Sequence, residues 1–159
     1  REFLDLGAAG VQMGTRFVAT HECDADIKFK EAFVSAKKED LMVIKSPVGM
    51  PGRALRNRFL EEVEKGAKKP FKCPYHCVKS CDPEKSPYCI GLALAGARKG
   101  KFNYGFAFAG SNAYRVDKIV SVKELIDSLK EEFADSSSLS EIDRNKHADK
   151  ICSKISAAC

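Results

Sequence analysis

No stretch of the 159 residues approaches the ~20 uncharged apolar side chains that a membrane-spanning helix needs, which excludes that class of protein. No lysine- and arginine-rich block with interleaved aromatics occurs either. The 27 basic and 22 acidic residues are mixed along the chain, so the net charge of +5 reads as a solvated surface and not as a nucleic-acid footprint. No internal repeat is visible. Residues Arg1 to Gly7 lack the basic and apolar regions of a secretory signal, so the expectation is a cytoplasmic protein with reduced thiols. Position 1 is not Met, and the chain is expected to be a fragment. What remains is a globular composition, 44% hydrophobic and 31% charged, long enough to bury a core.

Periodicity places most of that core on helices. Phe29, Ala32, Phe33 and Ala36 fall at i, i+3, i+4 and i+7, which predicts a helix over Asp24–Glu39. Leu41–Ile44 is a short apolar run of extended chain, and Ser46–Gly52, with two prolines and two glycines, is loop. A second helix is expected over Arg53–Lys65, stopped by Gly66 in the left-handed conformation, and a third over Tyr88–Arg98, closed by Gly100. Ser121-Val122-Lys123-Glu124 reads as a capping box opening a last helix with Val122, Leu125, Ile126 and Leu129 in one stripe. Residues 135–159 read as a polar, poorly ordered tail.

Seven cysteines are present, and four lie within 17 positions. Cys73, Cys77, Cys81 and Cys89 are spaced C-x3-C-x3-C-x7-C in a loop over 70–89 that also carries Lys72, Lys79 and Lys85. Four thiolates can hold one tetrahedral zinc ion or one [4Fe–4S] cluster, and the lysines favour the thiolate form. The alternative is a set of buried reduced thiols with an adventitious disulfide. Cys23, Cys152 and Cys159 are isolated, and each reads as a small packing or tail residue.

The most informative stretch is Gly10-Val11-Gln12-Met13-Gly14-Thr15-Arg16-Phe17. Val11–Met13 is expected to be a short buried strand ending at a glycine and a hydroxyl residue. Glycine lets backbone N–H groups approach an anion, and Thr15 adds a hydroxyl donor. A tight turn with no ligand is the alternative. Gly7–Phe17 resembles the last barrel-strand motif of the nitronate monooxygenase family of flavoproteins, which also holds flavin-dependent enoyl-acyl-carrier-protein reductases. Ser46–Asn57 is similar to that family's segment after the barrel, and Gly105–Ile119 to its C-terminal loop.

The resemblance covers about residues 4 to 133 and implies an α/β fold. Residues 1–45 would be the end of an FMN-binding (β/α)8 TIM barrel, and 46–134 a mostly helical C-terminal extension. It implies non-covalent FMN, with Gln12, Met13, Gly14 and Thr15 beside the cofactor phosphate, on the side of the last strand where TIM barrels hold phosphates. The small-molecule substrate would be a nitronate, oxidised with O2, or an enoyl thioester, reduced with NAD(P)H. No membrane or nucleic-acid partner is expected. His21, His76 and His147 match no catalytic position, so the catalytic residues are expected on strands this chain does not carry. Two further readings stand beside this one: a non-enzymatic metal- or thiol-binding module built on the cysteine loop, and an inert truncation. For Arg53, Arg56 and Asn57 the expected role is a helix start with capping contacts.

Overall fold

A computed structural model describes residues 2–69, 71–73, 77 and 79–136. The expected tail 137–159, with Cys152 and Cys159, lies outside the described residues, as do His76 and His147. In chain order the elements are α1 (Glu2–Asp5), α2 (Thr15–Val18), α3 (Ile27–Val34), β1 (Leu41–Lys45), β2 (Pro51–Leu55), α4 (Arg58–Glu64), α5 (Ile90–Arg98) and α6 (Val122–Ser136). Short 3₁₀ turns occur at Lys38–Asp40, Phe102–Tyr104 and Ala113–Arg115. The chain divides into two compact units, one made of residues 1–13 and 122–159 and the other of 14–121. Among the described residues no helix is long and apolar enough to cross a membrane.

In the first unit, α1 is closed by Gly7 at φ +94°, whose N–H donates to Leu4 O. The last helix forms where the stripe of Val122, Leu125, Ile126 and Leu129 predicts it, with Leu125 buried and Lys123 paired to Asp127 one turn on.

The second unit carries the core. Asp26 caps α3 by accepting from Lys28 N at 2.9 Å, which starts this helix three residues after the predicted boundary. β1 and β2 form an antiparallel hairpin, Leu41 opposite Leu55 and Lys45 opposite Pro51, with Gly49 at φ +93° in the turn. Beyond β2, Ala107–Ala109 runs alongside. Leu55 N donates to Ala107 O, Ala109 N donates to Arg53 O, and Ala54 bridges Phe108. Two clusters form. One gathers Ile44, Ala54, Phe59, Leu60, Tyr88, Ala93 and Phe106. The other gathers Phe33, Leu55, Ala107 and Ala113.

Three expectations are corrected. Val11–Met13 is not a strand. It is exposed irregular chain, because a strand exists only through pairing and no described residue pairs with it. Arg53–Lys65 is not one helix. Its first three residues are in β2, and α4 begins only at Arg58, where Asn57 accepts from Leu60 N at 3.0 Å. Pairing on both sides of residues 53–55 overrides their helical spacing. The sheet among the described residues is one antiparallel pair, so the parallel strands of a partial barrel are not seen there. Gly66 does adopt the left-handed conformation at φ +90°, and Asn57 does cap.

Tyr88 sits edge-on to Phe59 and Phe106, 2% exposed, and its hydroxyl has no partner among the described residues. Burial pushes its phenol from 10.0 up to about 12. The folded value lies above the unfolded one, so this contribution to stability is complete below pH 10 and is lost as pH rises through about 12. Tyr88→Phe is therefore expected to be neutral or to stabilise by up to about 1 kcal/mol at neutral pH. It should also flatten the alkaline fall in stability. Urea melts from pH 8 to 12 check both, and an equally steep fall in the variant would contradict the assignment to Tyr88.

Candidate functional site

Thr15 is the first residue of α2, half-buried, and its Oγ1 accepts a hydrogen bond from the Gly110 N–H at 3.0 Å, across 95 positions of sequence. The β2 edge makes this contact possible. Ala109 is held to Arg53, so the chain leaves the sheet at Gly110, turns with Ala113 N donating to Gly110 O, and buries Ala113. A Cβ on Gly110 would stand 3.1 Å from Thr15 Oγ1, tight for any larger residue. Since the N–H engages a lone pair of the hydroxyl, the hydroxyl keeps its own proton to donate.

Gly14 gives a different signal. Its φ of −119° and ψ of −52° suit any residue, and a Cβ placed there would meet nothing within 4 Å. Neither backbone strain nor packing within the chain demands glycine at this position. Gly14 is the N-cap of α2, a position glycine favours, and its open Cβ position leaves room for another group to approach. Gln12 and Met13 are exposed and belong to the other compact unit. The contact between Thr15 and Gly110 was missed by sequence reasoning, which identified both segments but had no signal joining them.

The four loop cysteines are brought together differently. Cys73, Cys77, Cys81 and Cys89 all line one cavity of about 420 Å³, with Lys79 and the apolar Val48 and Ile90. None is in a disulfide. Cys89 is buried, Cys73 and Cys81 are half-buried and Cys77 is exposed. The loop is fastened to the hairpin turn by Ser80 Oγ donating to Val48 O at 3.0 Å, and at its base by Lys69 N donating to Pro87 O. Lys85 beside Asp82, at 3.1 Å, holds that carboxylate below its ordinary range, and Asp82 also accepts from Glu84 N. Among the described residues no three His, Cys, Asp or Glu side chains are drawn together as ligands of a single metal ion. The expected metal site on Cys73, Cys77, Cys81 and Cys89, zinc or iron–sulfur, is therefore not seen among the described residues.

A family model described as nitronate monooxygenase matches residues 2–132. The chain belongs to the nitronate monooxygenase family. It is 40% identical over 58 residues to a probable nitronate monooxygenase of Staphylococcus aureus strain JH9, covering 36% of this chain and 16% of that protein. The corresponding Staphylococcus aureus protein of strain Newman is 38% identical over 58 residues, with the same coverage. The structure is similar to FabK from Thermotoga maritima, with a TM-score of 0.66 and 31% identity over 84% of this chain and 40% of that one. The chain thus matches about a sixth of the length of its curated relatives and two fifths of that solved structure. The likeness supports the α/β fold and the oxidoreductase family, and the matched span takes in both Thr15 and Gly110.

Proposed function

We propose that the chain is the C-terminal part of a cytoplasmic FMN-dependent oxidoreductase of the nitronate monooxygenase family. In this reading Gly14 and Thr15 hold the cofactor phosphate, and the full enzyme oxidises a nitronate with O2. The observation that carries the reading is the Gly110 N–H bound to Thr15 Oγ1 beside a glycine whose Cβ position is open. A hydroxyl with its acceptor side occupied presents its proton outward, as an oxyanion requires. Gly14 leaves the approach unobstructed, and Gln12 and Met13 precede it in the segment that resembles the family's last barrel strand. When bound, FMN supplies the centre that accepts and passes on electrons. This chain contributes the grip on its phosphate, and the remaining barrel strands supply the isoalloxazine pocket and the catalytic groups. The same grip serves the reduction of an enoyl thioester by NAD(P)H, and assays with the two substrate classes separate these activities.

The test is an absorption spectrum of the chain after mixing with FMN and desalting. Flavin bands are expected to travel with the protein. Thr15→Val, which keeps shape and loses the hydroxyl, is expected to weaken retention by about tenfold or more, since a hydrogen bond to a charged group contributes about 1.5–3 kcal/mol. Thr15→Ser should retain flavin. A folded wild-type chain that elutes colourless, or a valine variant that binds as well as wild type, would sink the assignment.

A further inference from the structure

A second cavity, of about 490 Å³, takes in neither Thr15 nor any cysteine. It is bordered by four successive residues of β1, Met42–Lys45, and by Leu60 and Val63 of α4. Successive side chains of a strand point to opposite faces, so four in a row border one space only along the strand's edge. One edge of β1 is taken by β2, and the cavity therefore opens along the other. We propose that this edge and cavity form a docking site for an extended peptide segment, which adds a strand beside β1 and seats an apolar side chain in the cavity.

The register shows which backbone groups face outward. Arg56 N donates to Asp40 O at 2.6 Å, and in an antiparallel pair such bonds recur at every second position, through Met42 with Ala54 and Ile44 with Gly52. Val43 and Lys45 thus turn their N–H and C=O groups away from β2, and neither finds another backbone partner among the described residues. On the far side of the hairpin the equivalent groups, Leu55 N and Arg53 O, are taken up by Ala107 and Ala109. The β1 edge offers the same ladder to an incoming strand. The cavity supplies the side-chain pocket that gives such an added strand its specificity. Ile44 and Leu60 are buried in its wall, and the unbranched Met42 can adjust to the shape of a visitor. Tyr88 borders the same space, and its hydroxyl has no partner among the described residues, an uncommon condition that an acceptor on the ligand relieves. Lys45 and Glu64 stand exposed at the rim with no ion pair among the described residues. A segment carrying an acidic and a basic residue around the apolar one complements that rim.

The test adds the blocked peptide acetyl-Thr-Asp-Leu-Thr-Lys-amide to the whole isotope-labelled chain, with no flavin in the tube, and follows the backbone amide signals by NMR. Laid antiparallel with its Leu opposite Ile44, the peptide sets its Asp beside Lys45 and its Lys on the α4 side with Glu64, and its Asp and Thr amides meet the open edge. Saturable shifts of the Val43 and Lys45 amides are expected. Val43→Pro removes only an outward N–H, which an edge strand tolerates, so it should keep the hairpin and weaken binding about tenfold. Lys45→Glu should weaken it about threefold, and a peptide with Lys in place of Asp should recover the loss. Methyl groups on the peptide's Asp and Thr nitrogens repeat the proline test on the wild-type chain and should weaken binding as much, even if proline disturbs the hairpin. The proposal is overturned by the absence of saturable shifts up to millimolar peptide, by equal binding of the methylated peptide, or by equal binding of a peptide with Ala in place of Leu. A wild-type chain that sediments as a dimer, and as a monomer once Val43→Pro is made, overturns it too, since a second copy would then hold the edge. None of these outcomes depends on whether FMN binds.

Discussion

Alanine at Gly105 is expected to unfold the core. Gly105 lies in extended chain at φ −172° and ψ −175°, a conformation open to any residue, so its need for glycine is one of space alone. A Cβ there would stand 1.8 Å from Ala93 O and 2.7 Å from Ala93 C, which is backbone of α5 and cannot rotate aside. The helix would have to move off the chain. Gly105 O also accepts from Asn57 Nδ2 at 2.8 Å, and Asn57 caps α4, so the displacement reaches a second helix. A loss of about 3 kcal/mol or more is expected, a large share of the ~5–15 kcal/mol that holds a domain together. Gly96→Ala is the control. Its Cβ would meet Tyr104 O at 3.5 Å, an ordinary contact, and alanine within α5 should stabilise by about 0.4–1 kcal/mol. Urea melts followed by circular dichroism read both. Equal midpoints for the two variants would refute the packing described.

Phe106→Ala should produce the second large loss. The ring is fully buried. It lies 5.1 Å from Phe108 and 5.8 Å from Tyr88, edge to face, and stacks on Phe59 at 6.2 Å. Truncation removes three aromatic contacts and leaves a void, at a cost of about 3–5 kcal/mol. Phe106→Leu, which refills most of the volume, should lose clearly less. The chain has no tryptophan and four tyrosines, so tyrosine emission follows the melt directly and includes Tyr88 at the same cluster. A loss below about 1 kcal/mol for the alanine variant would place the centre of the core elsewhere.

Helices whose apolar stripe is local were legible in the sequence. Phe29 and Phe33 announced α3, and Leu125 and Ile126 announced α6, because a 3.6-residue period needs no partner to be seen. β2 was not legible. Leu55, Phe59 and Val63 keep helical spacing, but Leu55 belongs to a strand whose partners are Leu41 and Ala107, 14 and 52 positions away. The glycine at 105 looked like any other in a small-residue stretch, since the carbonyl that excludes a side chain comes from another element. At the candidate site, chemistry was legible and juxtaposition was not. Residue types marked Thr15 and the four cysteines. The Thr15 contact with Gly110, and the open space between the thiols, exist only once the chain is folded.

The pairing of Thr20 with Val120 bears on how the chain is made. His21 N donates to Val120 O, Val120 N donates to Ala19 O, and Gly110 reaches Thr15 over a similar span. During synthesis at ~5–20 residues per second, the segment around residue 20 waits about 5–20 s for its partner, 100 positions later, to leave the ribosome. α3 and the β1–β2 hairpin can form in that interval, while Ala19 and Thr20, buried in the finished molecule, have nothing to pair with. Slower translation between residues 20 and 120 lengthens this exposure, which makes codon choice across that span a determinant of soluble yield.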